Sequence, residues 1–156
     1  MKDEKSRARE SAYKFLSYRQ RSKKEVADKL KKKGFLDEVI EEVVNSLLNY
    51  NYINDTDFAY NLAEDKIRNK PIGPALLRFE LIKKKIPKDI VDKTIKEIYN
   101  KYSERSLAMD ALNSRIKITG GLREAEKKKR LYNYLLQRGF SYDIAYEILG
   151  EMEIET

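Results

Sequence analysis

The residues that could do chemistry in this chain are its lysines and arginines, which outnumber its acidic residues by 33 to 26 and give a formal charge of +7. Clustered cations attract phosphates, so this balance favours a polyanionic partner. The chain contains three segments of related sequence. When these segments are aligned, two positions carry a basic residue in all three. The first set is Arg19, Lys66 and Arg115, and the second set is Lys33, Lys84 and Arg138. Both sets lie near predicted helix carboxyl ends, where cations stabilise the helix dipole by roughly 0.3–1 kcal/mol each, so helix capping explains them as well as binding does.

Two denser basic clusters exceed what helix capping needs. One cluster is Lys29, Lys31, Lys32 and Lys33, and the other is Lys127, Lys128, Lys129 and Arg130. Residues 1–50 hold 13 Lys or Arg against 9 Asp or Glu, residues 51–102 hold 11 against 8, and residues 103–156 hold 9 against 9. We therefore expect any anion-binding face in the first two-thirds of the chain. A solvated helical face, or pairing of basic helices with acidic neighbours, is the alternative explanation of these runs.

Catalytic chemistry has little support in the sequence. The chain has neither histidine nor cysteine, which removes disulfides, thiol chemistry and the usual zinc ligands. It also has no glycine-rich phosphate-binding loop. Asp55 and Asp57 could form a magnesium pair, but acidic residues at a helix start cap its N–H groups and complement its dipole, and we favour that interpretation. The sequence predicts a binding protein without enzymatic activity, cofactor or metal.

The 11 tyrosines and five phenylalanines could stack on the bases of a single strand. Most of the phenylalanines lie on apolar faces and are expected in the core. These are Phe15, Phe35, Phe58 and Phe140. Stacking stays open for Tyr50 and Tyr52 and for Tyr132 and Tyr134, because tyrosine is often half-buried with its hydroxyl in water.

The sequence also indicates a location. Its first ten residues include Asp3, Glu4 and Glu10 and no apolar run, which does not match a signal peptide. No uncharged apolar stretch approaches the roughly 20 residues that a membrane span needs. Together with the lack of cysteine, this predicts a cytoplasmic protein with no membrane contact.

Self-similarity at a fixed spacing shows which elements position these residues. The segment 30–35, Leu-Lys-Lys-Lys-Gly-Phe, aligns with residues 81–86 and with residues 135–140. Each segment is followed by apolar residues at helical spacing, ending at Met152 in the third, and is preceded by another short amphipathic stretch. Each unit is therefore predicted to contain three helices, which we call helix A, helix B and helix C.

The predicted fold is all-α, with three tandem three-helix repeats packed as a curved, elongated array. The repeats span residues 1–53, 54–102 and 103–156. A unit of about 50 residues is marginal alone, so we expect adjacent units to pack their apolar faces together.

Local signals mark the helix ends. Ser22 and Glu25 form a capping box that opens helix B of the first unit, and Gly73-Pro74 places proline at the first position of helix B in the second. Residues 119–121, Thr-Gly-Gly, break the chain before a basic helix that begins near Arg123.

Glycines mark the ends of helix B. Gly34 and Gly139 lie where a left-handed residue closes the helix without a Cβ clash. Lys85 is their counterpart in the second unit. It either adopts that conformation, at a cost of roughly 1–2 kcal/mol, or gives way to a different turn led by Pro87.

The central unit carries a family resemblance. The segment 54–59, Asn-Asp-Thr-Asp-Phe-Ala, with Arg68, Gly73, Glu80-Leu81 and Ile86, resembles the central signature of the RecX regulatory proteins. The spacing of Ser22, Glu25, Leu30 and Gly34 resembles the first repeat of that family, and Arg138-Gly139-Phe140 resembles the third. The resemblance extends from Ala12 to about Leu149. Lys85, where the family usually has glycine, and Asn54, where an acidic residue is common, depart from the pattern.

The resemblance implies a cytoplasmic modulator of the bacterial recombinase RecA, acting in DNA recombination, repair and the SOS response. Such a protein binds the groove of the RecA filament on single-stranded DNA as a monomer and inhibits filament growth, ATPase and recombinase activity. Because the central unit carries the clearest signature, we expect filament contacts at Arg68, Arg78 and Lys84. Lys66 is a further candidate, and helix B of this unit also presents Lys83. The alternatives are a stand-alone DNA-binding protein with helix B in a duplex groove, and a helical scaffold that binds an acidic protein.

Overall fold

The structure is a computed structural model that describes residues 3–154. The side chains of residue 118 and of residues 152–154 are not described, so the predicted apolar position Met152 lies outside the described side chains. Within that range the chain forms nine α-helices, one 3-10 turn and no strand. Repeat 1 contains α1 (Glu4–Tyr18), α2 (Lys23–Lys32) and α3 (Asp37–Asn49). Repeat 2 contains α4 (Asp55–Asn69), α5 (Pro74–Lys83) and α6 (Lys88–Lys101). Repeat 3 contains α7 (Glu104–Ile116), the 3-10 turn Lys117–Thr119, α8 (Glu124–Gln137) and α9 (Tyr142–Ile154). The predicted architecture of three tandem three-helix repeats is confirmed.

The predicted helix starts are also confirmed. The Ser22 hydroxyl accepts a hydrogen bond from the Glu25 N–H at 3.1 Å, while the Glu25 carboxylate accepts one from the Ser22 N–H at 3.3 Å. This capping box satisfies N–H groups that have no partner inside α2. Pro74 is the first residue of α5, and Arg123 precedes α8 as its N-cap.

Each helix B ends in a left-handed residue. The φ angle is +92° at Gly34, +62° at Lys85 and +90° at Gly139. The residue that follows each of them then donates a backbone hydrogen bond to the carbonyl oxygen five positions earlier, as in Phe35 to Leu30. Lys85 therefore adopts the strained alternative, and Pro87 serves as the N-cap of α6.

Within the described part of the chain, buried apolar residues form two separate clusters. Repeat 1 has its own cluster, drawn from α1 to α3 and extended by Ile53. Repeats 2 and 3 share the other, in which Leu77 and Leu81 of α5 join Leu131 and Leu135 of α8, all at most 1% exposed. The expected apolar packing between neighbouring repeats is confirmed at the second boundary. It is wrong at the first boundary, where polar groups meet instead.

Main-chain hydrogen bonds join repeats 2 and 3. The Gly73 N–H donates to the Arg138 carbonyl oxygen at 2.8 Å, and the Ala75 N–H donates to the Gly139 carbonyl oxygen at 3.0 Å. These bonds occupy N–H groups at the start of α5 that the helix itself cannot pair. The two backbones lie so close that neither glycine has room for a Cβ atom. We call this contact the glycine seam.

Polar contacts join repeats 1 and 2. The Asp55 carboxylate, at the start of α4, accepts a hydrogen bond from the Lys23 N–H at the start of α2, at 2.8 Å. The Asn61 side-chain amide donates to the Gln20 side-chain oxygen at 3.0 Å. Exposed hydrogen bonds resist opening less than a shared core does, so repeat 1 is the more independent part of the fold. Among the described helices, none has the length and apolar character needed to cross a membrane.

Candidate nucleic-acid and protein interfaces

Asp55, one of the two acidic residues considered as a metal pair, has a structural role. Asp55 caps the neighbouring helix α2 through the Lys23 N–H, while Asn54 accepts from the Asp57 N–H at 3.1 Å and caps α4 itself. Across the described residues, no acidic cluster is arranged to hold a metal ion. The helix-capping interpretation of Asp55 therefore fits the structure, with the difference that the capped helix belongs to the preceding repeat.

One buried carboxylate organises the end of repeat 2. Glu64 is only 4% exposed, and it accepts hydrogen bonds from the Lys101 ammonium at 2.6 Å and the Tyr102 hydroxyl at 2.5 Å. These bonds outweigh the effect of burial and lower the pKa of Glu64 to about 2. Its partners lie on or next to the last turn of α6, so the network fastens α6 to α4. Arg68 extends it, with its guanidinium 3.6 Å from the same carboxylate.

A basic pocket lies in repeat 1, between the second half of α1 and the end of α2. We call it the repeat 1 pocket, and it is lined by Ser11, Lys14, Phe15, Tyr18, Arg21, Lys29 and Lys33. Four of these side chains are cationic, two are aromatic and none is acidic. The Arg21 guanidinium lies 3.9 Å from the centre of the Phe15 ring, and the Lys29 ammonium lies 5.4 Å from it.

The chemistry of the repeat 1 pocket fits an anion. Lys14, Lys29 and Lys33 have no ion pair among the described residues. Arg21 lies 3.9 Å from the Glu25 carboxylate, so the three lysines carry the uncompensated charge that a phosphate placed beside them would neutralise. Tyr18 is 73% exposed at the edge of the pocket and offers a free ring face for a base. The pocket therefore combines the two features that single-strand binding uses.

The structure gives the other predicted cations of repeat 1 different surroundings. Arg19 forms an ion pair with Glu25, at 2.6 Å, and Lys31 lies 3.8 Å from Asp37. Lys32 is exposed and has no ion pair within the described part of the chain. The predicted cluster of Lys31, Lys32 and Lys33 thus divides, because only Lys33 lines the pocket.

In repeat 2 the predicted contact residues fall into two groups. Several are paired: Lys66 lies 3.6 Å from Glu80, Arg68 lies beside Glu64, and Arg78 forms an ion pair with Asp92. The others, Lys83 and Lys84, are exposed at the end of α5 without an ion pair to any described residue. The second group needs no rearrangement to meet an anionic partner.

Repeat 3 brings two predicted arginines together. Arg115 and Arg130 line a pocket with Thr119, Asn133, Tyr134 and Gln137, and the Arg115 guanidinium lies 4.9 Å from the centre of the Tyr134 ring. Lys127 and Lys128 are half-buried on α8. The basic side chains of this repeat thus lie in different settings rather than on one continuous face.

Arg138 has a structural position. Its guanidinium donates to the Pro71 carbonyl oxygen at 3.3 and 3.2 Å, and its own carbonyl oxygen accepts from the Gly73 N–H in the glycine seam. Among the three basic residues at this repeated position, Lys33 and Lys84 are exposed while Arg138 holds repeats 2 and 3 together.

The aromatic predictions agree with the structure. Phe58 and Phe140 are buried, and Phe15 and Phe35 are half-buried against the core of repeat 1. Tyr50 and Tyr52 are exposed, whereas Tyr132 and Tyr134 pack partly against the shared core.

Sequence reasoning missed several surface residues. Lys14 and Arg21 line the repeat 1 pocket, but neither belongs to a run of basic residues. The signal for Lys14 was its spacing, because it stands four residues before Tyr18 and therefore lies on the same helix face. Phe79 and Ile82 are exposed on α5. The available signal was an excess of apolar residues in α5, more than one helix face can bury.

Three family models match the chain in succession. They describe the first, second and third three-helix domains of RecX, over residues 8–47, 54–95 and 103–149. The regulatory protein RecX of Chlorobium limicola is 34% identical over 148 residues, which cover 95% of this chain and 91% of that protein. The regulatory protein RecX of Bacillus subtilis is 35% identical over 99% of this chain, which spans 58% of that longer relative.

The fold is also found in solved structures. The crystal structure of RecX from Lactobacillus salivarius matches with a TM-score of 0.89 and 26% identity, covering 97% of this chain and 98% of that one. The architecture therefore defines the molecule as an all-helical tandem-repeat protein. Within that class, the chain belongs to the RecX family of regulatory proteins.

Proposed function

We propose that this protein binds the RecA filament on single-stranded DNA and inhibits its growth, ATPase and recombinase activity. The observation that carries the proposal is the match of all three RecX domains, in order, to a chain whose first repeat holds a basic, carboxylate-free pocket. A regulator that meets a DNA-bound filament needs surfaces for phosphate and for protein. This chain presents exposed cations in all three repeats.

In this proposal the repeat 1 pocket contacts the DNA strand. Lys14, Lys29 and Lys33 pair with backbone phosphates, and Tyr18 stacks on a base at the pocket edge. Contact in the other repeats falls to the exposed cations Lys83 and Lys84 of repeat 2 and to the pocket that contains Arg115 and Arg130 in repeat 3. The exposed but paired side chains can exchange their intramolecular partners for the filament, since surface ion pairs contribute little to stability. These are Arg19, Lys31, Lys66, Arg68 and Arg78.

We further propose that the protein acts in the cytoplasm as a monomer, without catalytic activity or cofactor. The chemistry of its described surfaces supports binding: they offer cations, tyrosines and apolar side chains. Regulation then follows from occupying a site on the filament rather than from turnover.

The test compares three ligands under one salt condition: bare single-stranded DNA, duplex DNA and single-stranded DNA coated with RecA. Fluorescence anisotropy should show the tightest binding to the coated strand. A parallel titration should suppress the DNA-dependent ATPase of RecA at or below one protein per RecA subunit. Preferential binding to the duplex would instead support a stand-alone DNA-binding protein. Binding to none of the three, with no effect on the ATPase, would reject the proposed function and favour a scaffold for an acidic protein.

A further inference from the structure

The outer face of α5 carries an apolar stripe. Ala75, Phe79 and Ile82 follow each other at intervals of four and three residues, which places them on one face of the helix. Phe79 is 59% exposed and Ile82 is 53% exposed. On the opposite face, Leu77 and Leu81 are completely buried. Helix α5 is therefore apolar both toward the core and toward solvent.

Repeat 1 provides an internal comparison for this stripe. In the alignment that pairs Leu81 with Leu30, the three stripe positions correspond to Lys24, Asp28 and Lys31. There Lys24 and Asp28 form an exposed ion pair at 3.0 Å, and the Lys31 side chain is 72% exposed. The same positions of helix B thus face solvent and are charged in repeat 1. The fold does not require apolar residues at these positions, so Phe79 and Ile82 need a different explanation.

The surroundings of the stripe are basic. Residues 74–87 carry four cations and one carboxylate, Glu80, which lies 3.6 Å from Lys66. Arg78 is paired with Asp92 of α6, which leaves Lys83, Lys84 and Lys85 without an ion pair among the described residues. Lys83 lies one helical turn after Phe79, and Lys85 follows the end of α5, three residues after Ile82. Both of these lysines are exposed. A complementary surface would offer an apolar side chain surrounded by carboxylates.

We propose that this stripe, formed by Ala75, Phe79 and Ile82, is a docking site for an acidic amphipathic segment of a protein partner. An apolar side chain of the partner packs on Phe79 and Ile82, and its carboxylates pair with Lys83 and Lys85. Burying two large exposed side chains supplies affinity, and the lysines orient the segment. We take this partner to be the protein subunits of the filament, and in this respect the inference rests on the proposed function.

A DNA strand fits the stripe less well than a protein does. Phe79 offers a ring face, but Ala75 and Ile82 are aliphatic, so a strand that stacked on Phe79 would leave both of them in water. The repeat 1 pocket provides the contrast, with four cations, two rings and no acidic lining residue. The two surfaces therefore have different partners: the repeat 1 pocket contacts nucleic acid, and the stripe on α5 contacts protein.

The test replaces the two large side chains of the stripe with the residues that repeat 1 already uses at the same positions. The variant F79D/I82K adds one negative and one positive charge, so its net charge matches that of the wild-type protein. The control variant M109K/Y142D introduces one positive and one negative charge at two exposed side chains of repeat 3, which are 37% and 70% exposed. Both variants are checked for helix content and thermal unfolding, then titrated against RecA-coated and bare single-stranded DNA.

F79D/I82K should bind the RecA-coated strand at least about tenfold more weakly, because interface anchors of this kind dominate binding energy. Its binding to bare DNA should equal that of the wild-type protein, and the control variant should match the wild-type protein in both assays. Equal binding of F79D/I82K and wild-type protein to the coated strand would overturn the docking site and leave the proposed function intact. An equal loss on bare DNA would make the stripe a nucleic-acid site.

Two further outcomes separate the remaining cases. If sedimentation shows a wild-type dimer that F79D/I82K abolishes, the stripe joins two copies of this chain and the inference is wrong. If the wild-type protein itself does not bind the coated strand, the proposed function fails and the docking site falls with it.

Discussion

Gly73 and Gly139 meet at the boundary of repeats 2 and 3 with no room for a side chain on either residue. A Cβ atom on Gly73 would lie 2.3 Å from the Gly139 carbonyl oxygen, and one on Gly139 would lie 2.3 Å from the Leu76 nitrogen. The obstructing atoms belong to the main chain, so they cannot rotate away. The two residues differ in conformation, since only Gly139 has a positive φ.

Three alanine substitutions should separate the close contact from the backbone strain. G34A introduces strain alone, because Gly34 has a φ of +92° and open space around its missing Cβ, and it should cost roughly 1–2 kcal/mol. G73A introduces only the clash and should cost about 1–3 kcal/mol. G139A combines both effects and should be the most destabilising. Urea titrations give the free energy of unfolding of each variant. If G139A is no less stable than G34A, the close contact at the glycine seam contributes nothing to stability and this prediction is wrong.

The Asp55 carboxylate should stabilise the start of α2 from the neighbouring repeat. Removing it in D55A leaves the Lys23 N–H without its acceptor, at a cost of about 0.5–2 kcal/mol. D55N keeps a side-chain oxygen in place and should recover most of that loss. Amide hydrogen exchange of Lys23 is the direct measurement. Unchanged exchange in D55A would mean that water replaces the carboxylate without cost.

Glu64 should make the stability of the fold depend on pH in the acid range. Its pKa falls from an ordinary value of 4.5 to about 2 in the folded protein. A lowered pKa means that the ionised carboxylate stabilises the folded state fully above pH 4.5 and that this contribution disappears as the pH falls toward 2. Other acids titrate nearby, so the comparison that matters is between the wild-type protein and E64Q.

At neutral pH, E64Q should lose about 1–3 kcal/mol, because Lys101 and Tyr102 lose the charged acceptor between them. The difference between the two proteins should shrink as the pH is lowered from 4.5 toward 2, as followed by urea unfolding. E97Q, at an exposed carboxylate 4.0 Å from Lys93, controls for the loss of one charge. A constant difference across that range would show that the Glu64 charge is not the source of its stabilising effect.

The repeat 1 pocket should determine the salt dependence of single-strand binding. Each phosphate contact to a single strand adds about 0.7 to the slope of log affinity against log salt concentration, so K29Q/K33Q should flatten that slope by up to about 1.4. K31Q/K32Q removes the same charge outside the pocket and should change the slope less. Equal slopes for the two variants would remove the pocket from the DNA interface.

Local signals made the helices and their ends predictable. Ser22, Pro74 and Gly139 act on the turn in which they stand, so their effects can be read from a few neighbouring residues. Leu77 and Leu81, four residues apart on one face of α5, are buried as helical spacing predicts. The backbone conformation of Lys85 could not be predicted, because two kinds of turn fitted the neighbouring sequence. Only the packing of the folded chain selects between them.

Non-local geometry set the limit of the sequence analysis. Whether neighbouring repeats share a core depends on how the helices are oriented, and repeats of similar pattern make an apolar boundary in one case and a polar boundary in the other. The partners of Glu64 lie 37 and 38 residues away, beyond any periodic pattern. Phe79 and Ile82 were missed because an apolar residue on a helix is ordinarily assigned to the core.

The two separate cores also set the order in which this chain can fold during synthesis. Repeat 1 has all its core residues between Ala8 and Ile53, so it can close as soon as Ile53 has left the ribosome. The shared core extends to Leu149, so the cluster that contains Leu77 and Leu81 cannot be completed until nearly the whole chain has been made. A nascent chain that stalls after repeat 2 would therefore carry a folded repeat 1 beside an incomplete core, the state most prone to capture by chaperones or to aggregation.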